Sequence, residues 1–156
     1  MLKIGLNEIV IKFVFEEKID LEAIYLQGKF GVKRSEIDSV IKLPEKLGIG
    51  DITDAGLPYY SGTLEYVIEV PKGVYDVCFD EIGGAAAVKV NENLVAFRPF
   101  VATDIKSDGR LKIKYVFGRN NLFGTHVGKS DSTEKKFVAQ GMIKLPKIYL
   151  KETEEI

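Results

Sequence analysis

Pro58-Tyr59-Tyr60-Ser61-Gly62-Thr63-Leu64-Glu65-Tyr66 opens, and Asp104-Ile105-Lys106-Ser107-Asp108-Gly109-Arg110-Leu111-Lys112-Ile113 closes, the run of short alternating segments that decides the fold. From Leu64 onward Leu64, Tyr66, Ile68 and Val70 fall on one side and Glu65 and Glu69 on the other, the period of two of a half-buried strand. Pro71-Lys72-Gly73 then turns the chain into Tyr75, Val77 and Phe79, with Asp76 and Asp80 opposite. Further strands are expected over 85–90, 94–98, 100–105 and 111–117. Many short strands broken by Gly, Asn and Pro indicate a sandwich rather than a βαβ fold.

Upstream the signal is coarser. Residues 8–15 read Glu-Ile-Val-Ile-Lys-Phe-Val-Phe, too short and too β-branched for a helix, so a strand is expected there, with another over 21–30 and a weaker one over 35–43. Residues 44–58 hold Gly48, Gly50, Gly56 and two prolines, which predicts a loop long enough to need packing against something. Leu6-Asn7-Glu8-Ile9-Val10-Ile11-Lys12-Phe13-Val14-Phe15 echoes Gly109-Arg110-Leu111-Lys112-Ile113-Lys114-Tyr115-Val116-Phe117 as a turn followed by an apolar strand. Either residues 1–20 are a strand shared with a preceding module, or two amphipathic strands are similar by chance; the pattern does not separate these.

Four features carry a family resemblance: Tyr-Ser-Gly-Thr-x-x-Tyr at Tyr60 to Tyr66, the stretch Ala86-Ala87-Val88-Lys89-Val90-Asn91, Pro99-Phe100 followed by Thr103-Asp104-Ile105, and the Gly109 turn before the last long strand. Together they resemble the jelly-roll, galactose-binding-like accessory domains of glycoside hydrolases over roughly residues 20–126, and Asn120-Asn121-Leu122-Phe123-Gly124-Thr125-His126 is similar to the segment after the last strand in some of them. Two turn positions depart from that pattern: the expected Asn-Gly hairpin is Asn91-Glu92-Asn93, and Arg110 replaces an asparagine. The resemblance implies an all-β jelly-roll sandwich of about 8–10 antiparallel strands in one domain spanning 1–156. It also implies a non-catalytic accessory role, bracing a neighbouring glycosidase catalytic domain with weak carbohydrate binding. The alternative is a free-standing protein-interaction module that uses a strand edge or the loop 48–60.

Composition narrows the partners. The 156 residues are 46% hydrophobic and 29% charged, enough for a sizeable core. Lys and Arg total 22 against 23 Asp and Glu, without the basic excess that nucleic acid requires. The single cysteine, Cys78, excludes an internal disulfide and a Cys-rich zinc cage. The N-terminal residues lack a signal-peptide pattern, so no membrane partner and, by default, a cytoplasmic location are expected.

Glycosidase chemistry needs two carboxylates across a sugar ring, one with a raised pKa. Glu65, Glu69, Asp76 and Asp80 would confront one another only if 64–70 and 75–81 formed a hairpin, which like charges disfavour. Pairing beside Lys112 and Lys114 is preferred, and no catalytic residue is assigned. Sugar recognition combines an aromatic face with planar polar groups, which points to Tyr59, Tyr60, Arg98, Phe123 and His126, with Phe97 beside them. Tyr60, Phe97 and Phe123 read more readily as core caps at strand ends than as a sugar platform. No organic cofactor is implied. Asp51, Asp54 and Asp104 offer the oxygen ligands that a structural calcium takes, although their spacing matches no defined calcium loop and Asp104 is expected to bond the turn backbone after it.

Overall fold

The structure, a computed structural model, describes residues 5–14, 24–123 and 137–151. Its strands are β1 (Gly31–Lys33), β2 (Ser39–Ile41), β3 (Gly62–Glu69), β4 (Gly73–Cys78), β5 (Ala87–Val90), β6 (Asn93–Leu94), β7 (Val101–Ser107), β8 (Arg110–Phe117) and β9 (Lys147–Leu150), with one helical turn, α1, at Asn120–Phe123. The chain is an antiparallel β-sandwich. One sheet has the order β3-β8-β5-β6, the other β7-β4-β9, and β1 and β2 form a separate two-stranded ribbon.

β8 anchors the larger sheet because its alternation is complete. Leu111, Ile113, Tyr115 and Phe117 are buried at 0–3% exposure, while Lys112 and Lys114 point outward. Burial of each such side chain contributes about 1.5–3 kcal/mol. Across the core they meet Tyr75 and Val77 of β4 and Ala102 and Ile105 of β7, with Val88 and Val90 of β5 beside them in their own sheet. Tyr66, Phe79 and Phe117 pack around Tyr115 at ring-centroid separations of 5.7, 6.4 and 6.1 Å. In β7 the period of two slips by one residue: Ala102 pairs with Val77 and Ile105 with Tyr75, so Thr103 and Asp104 together oppose Asp76. Asp104 sits at φ 58° in that bulge, and both Ala102 and Ile105 thereby stay in the core.

The pairings are nested. β3 pairs with β8, β4 with β7 and β5 with β6, so the first and last strands of this stretch lie together, as do the second and second-last. The β5-β6 hairpin turns at Asn91 and Glu92, both at positive φ (44° and 68°), the geometry of a primed two-residue turn. Asn91 holds it by donating to the Lys106 carbonyl at 2.9 Å and accepting from the Lys112 N–H at 2.8 Å.

The loop 44–58 packs as its length demands. Ile52 is buried, and the Gly50 and Ile52 N–H groups donate to the carbonyls of Met142 and Gln140, each at 2.8 Å. Elsewhere expectation and structure differ. Residues 8–14 form no strand, nor do 24–30, and the expected strand over 35–43 shrinks to β2. Pairing, not propensity, makes a strand, and neither segment pairs with a strand among the described residues. The expected strand over 94–98 reduces to Asn93–Leu94 and an isolated bridge between Ala96 and Val101. β9 lies in a stretch where the sequence predicts no strand.

Candidate functional site

The residues expected to gather around a sugar engage different neighbours. Tyr59 donates its hydroxyl to the Asp38 carboxylate and packs edge-on against Phe137 at 5.4 Å. Tyr60 lies against Phe117 at 6.3 Å and donates to the Thr63 carbonyl at 2.9 Å; burial pushes its phenol pKa up. Arg98 stacks over Phe97 at 5.5 Å, and Phe97 meets Phe100 at 5.4 Å. Phe123 packs against Tyr25 at 5.4 Å with the Arg119 guanidinium over it at 5.9 Å. His126 lies outside the described residues.

Around Tyr59 a mixed cluster does assemble. Arg34 sits over Phe137 at 4.7 Å and pairs with Asp54, and the Ser35 N–H donates to Asp38 at 3.3 Å. Aromatic edges and planar charged groups therefore meet on one patch made from the β1-β2 connection, the loop 44–58 and the segment after residue 136. Arg34, Asp38 and Phe137 were not among the expected site residues, and their sequence separation from Tyr59 hides the grouping. Elsewhere an open depression of about 510 Å³ is lined by Asn91, Glu92, Lys106, Ser107, Asp108 and Lys112, at the β5-β6 and β7-β8 turns. It includes none of the expected sugar-binding residues.

The three expected metal-ligating carboxylates are also dispersed in role. Asp51 accepts the N–H groups of Thr53 at 2.9 Å and Gln140 at 3.1 Å, Asp54 pairs with Arg34, and Asp104 pairs with Lys151 at 2.7 Å. Asp104 thus pairs with the lysine that follows β9, not with the turn backbone expected for it. Among the described residues no three or more His, Cys, Asp or Glu side chains form a group that could hold a metal.

Outer-face charges are matched across strands. Glu65 lies opposite Lys114 and Glu69 opposite Arg110, so β3 does sit beside the lysine-bearing strand. β4 belongs to the other sheet, and its cations come from the β9 segment: Lys151 meets Asp76 at 3.2 Å and Lys147 meets Asp80 at 2.9 Å. The Asp104 backbone N–H, then Lys151, hold Asp76 below the usual carboxylate range, and Lys147 does the same for Asp80. Lys114 likewise lowers Glu92. A general acid needs the opposite shift.

Fold and surface together define an antiparallel β-sandwich whose outer faces carry charges matched across strands. No protein-family model, curated protein or solved structure matches this chain. No helix among the described residues is long and apolar enough to cross a membrane.

Proposed function

We propose that this sandwich is a non-catalytic accessory domain of a glycoside hydrolase-like protein, jelly-roll in topology, that braces a neighbouring catalytic module through its N-terminal quarter. One observation carries the reading: large apolar side chains there stand in solvent, with Leu6 100%, Val14 77% and Ile37 82% exposed. Ile9, Val10, Ile24 and Val40 are likewise exposed. Large exposed apolar side chains concentrated in one quarter of a chain favour an interaction site. Support for the jelly-roll topology comes from the nested pairing of β3 with β8, β4 with β7 and β5 with β6. Downward-shifted Asp76, Asp80 and Glu92 favour a structural over a catalytic role for those carboxylates.

Weak sugar binding belongs to the same reading at Tyr59, where Phe137 and Arg34 supply an aromatic edge and a planar donor. The test is an amide-shift titration with neutral mono- and oligosaccharides, with and without calcium, run beside a panel of chromogenic glycosides and a hydrophobic dye. Dye fluorescence that falls when residues 5–14 are deleted, with no glycoside turnover, is the expected result. Saturable shifts around Tyr59 would add carbohydrate binding. Turnover of any glycoside by the chain would overturn the non-catalytic role.

A further inference from the structure

Among the described residues the two sheets leave four outer edges, at β3, β6, β7 and β9. β6 has two residues and β9 four, while β7 is bent by its bulge. β3 is different: eight residues, without bulge, proline or lysine, which leaves it open to strand addition. The Val70 N–H donates to the Gly109 carbonyl at 3.1 Å, so the even-numbered residues of this segment turn their backbone groups toward β8. Those of Thr63, Glu65, Val67 and Glu69 face outward, and the Thr63 carbonyl already accepts the Tyr60 hydroxyl from that side. Leu64, Tyr66 and Ile68 stay half-buried, whereas Tyr115, Ile113 and Leu111 opposite them are buried completely.

The arm Glu8-Ile9-Val10-Ile11-Lys12-Phe13-Val14 is complementary to this edge. Set antiparallel with Ile11 opposite Tyr66, it lays Ile9, Ile11 and Phe13 beside Ile68, Tyr66 and Leu64 and completes the cover of the core. The outer face then sets Val10 opposite Val67 and Lys12 opposite Glu65. Glu8 falls opposite Glu69, whose other neighbour, Arg110, supplies the balancing charge. A slip by one residue would turn Ile9, Ile11 and Phe13 to solvent, and a parallel alignment on the same faces would set Lys12 against Val67. In the single chain the arm forms no strand, and Ile9, Ile11 and Phe13 are more than half exposed. A second copy offers both the edge and an arm to exchange, and a two-fold exchange uses each once and closes.

We propose that residues 8–14 of one copy add as an antiparallel strand to the outer edge of β3 in a second copy, giving a strand-exchanged dimer. This goes beyond the bracing reading above, because it gives residues 8–14 a second copy of the chain, rather than a catalytic module, as their partner. Sedimentation velocity of the full chain over a concentration series tests it, with Lys12→Glu, Glu65→Lys and the double reversal alongside. Each single reversal places like charges across two equivalent strand pairs and is expected to weaken dimerisation roughly tenfold, and the double variant to regain most of that loss. Circular dichroism of Glu65→Lys confirms folding, since Glu65 also meets Lys114 at 3.8 Å. In a Cys78→Ala background, Lys12→Cys with Glu65→Cys should give a disulfide-linked dimer on a non-reducing gel. A monomer at every concentration, a disulfide within one chain, or a dimer indifferent to both reversals would overturn the exchange. Those outcomes leave the bracing role standing if the dye still reports residues 5–14, whereas glycoside turnover would overturn that role and not this one.

Discussion

Replacing Asp51 by alanine removes one acceptor from two backbone donors at once. Its Oδ1 atom takes the Thr53 N–H at 2.9 Å and the Gln140 N–H at 3.1 Å, joining a loop to a segment 89 residues away. Thr53 and Gln140 are 2% and 1% exposed, so water cannot easily replace the carboxylate at either donor. An unpaired buried donor costs about 1–3 kcal/mol, and with water entering the space of the lost side chain the two together should cost about 3 kcal/mol. For a domain of this size that corresponds to a fall in Tm of about 6–12 °C. Asp51→Asn keeps an oxygen at Oδ1 and should cost less than about 1 kcal/mol. Because the chain has no tryptophan, calorimetry and far-UV circular dichroism with urea are the suitable assays. Equal losses for the two variants would refute the hydrogen-bond account. Calcium stabilisation of the unsubstituted protein, abolished by both variants, would instead make Asp51 a cation ligand.

Ile113→Ala empties a fully buried site on β8 and should cost about 2–5 kcal/mol, read as a lower urea midpoint at unchanged m-value. Gly83→Ala should be severely destabilising in thermal melts, because at φ 48° its Cβ would come within 2.1 Å of the Gly141 carbonyl oxygen, whereas Gly109→Ala meets nothing within 4 Å and carries only the strain of φ 135°. Asp76 has its folded pKa below the ordinary 3.8, so its stabilisation is present above that pH and is lost as pH falls through the folded value; Lys151, raised above 10.5 by Asp104 and Asp76, stabilises below that pH and loses the effect as pH rises through its folded value. Stability measured from pH 2 to 7 should therefore fall less steeply below pH 4 in Asp76→Asn than in the unsubstituted protein.

What could be read from sequence was local in each case. The alternation of Leu64, Tyr66 and Ile68 and of Leu111, Ile113 and Tyr115 marks β3 and β8 because one face of each sheet is buried and the other wet. β9 escaped because Lys147-Ile148-Tyr149-Leu150 offers only four residues, and its pairing with β4 gives it strand form. The bulge in β7 was invisible for a related reason: Thr103 and Asp104 look like one more alternation until Asp76 is seen to oppose both. Charge matching was legible for Glu65 beside Lys114 but not for Asp76, whose cation lies 75 residues downstream. The patch at Tyr59 failed for the same reason, since Arg34 and Asp38 reach it from the β1-β2 connection and Phe137 from a segment far downstream.

The disagreement at the N-terminus differs from these, because there the sequence gives the stronger strand signal. Ile9, Val10, Ile11, Phe13 and Val14 are residues of high β-propensity, yet Glu8 to Val14 joins no ladder within the described chain. An isolated strand leaves every backbone N–H and C=O to water and its apolar face uncovered, so such a composition makes physical sense only beside another strand. The same chain carries an eight-residue edge at β3 whose core-facing residues are themselves only half covered. Two incomplete surfaces, one lacking a strand and one lacking a sheet, satisfy each other's hydrogen bonds and apolar cover in a single step. Their match in length, alternation and charge therefore makes the arm a docking element rather than a frayed end of the core.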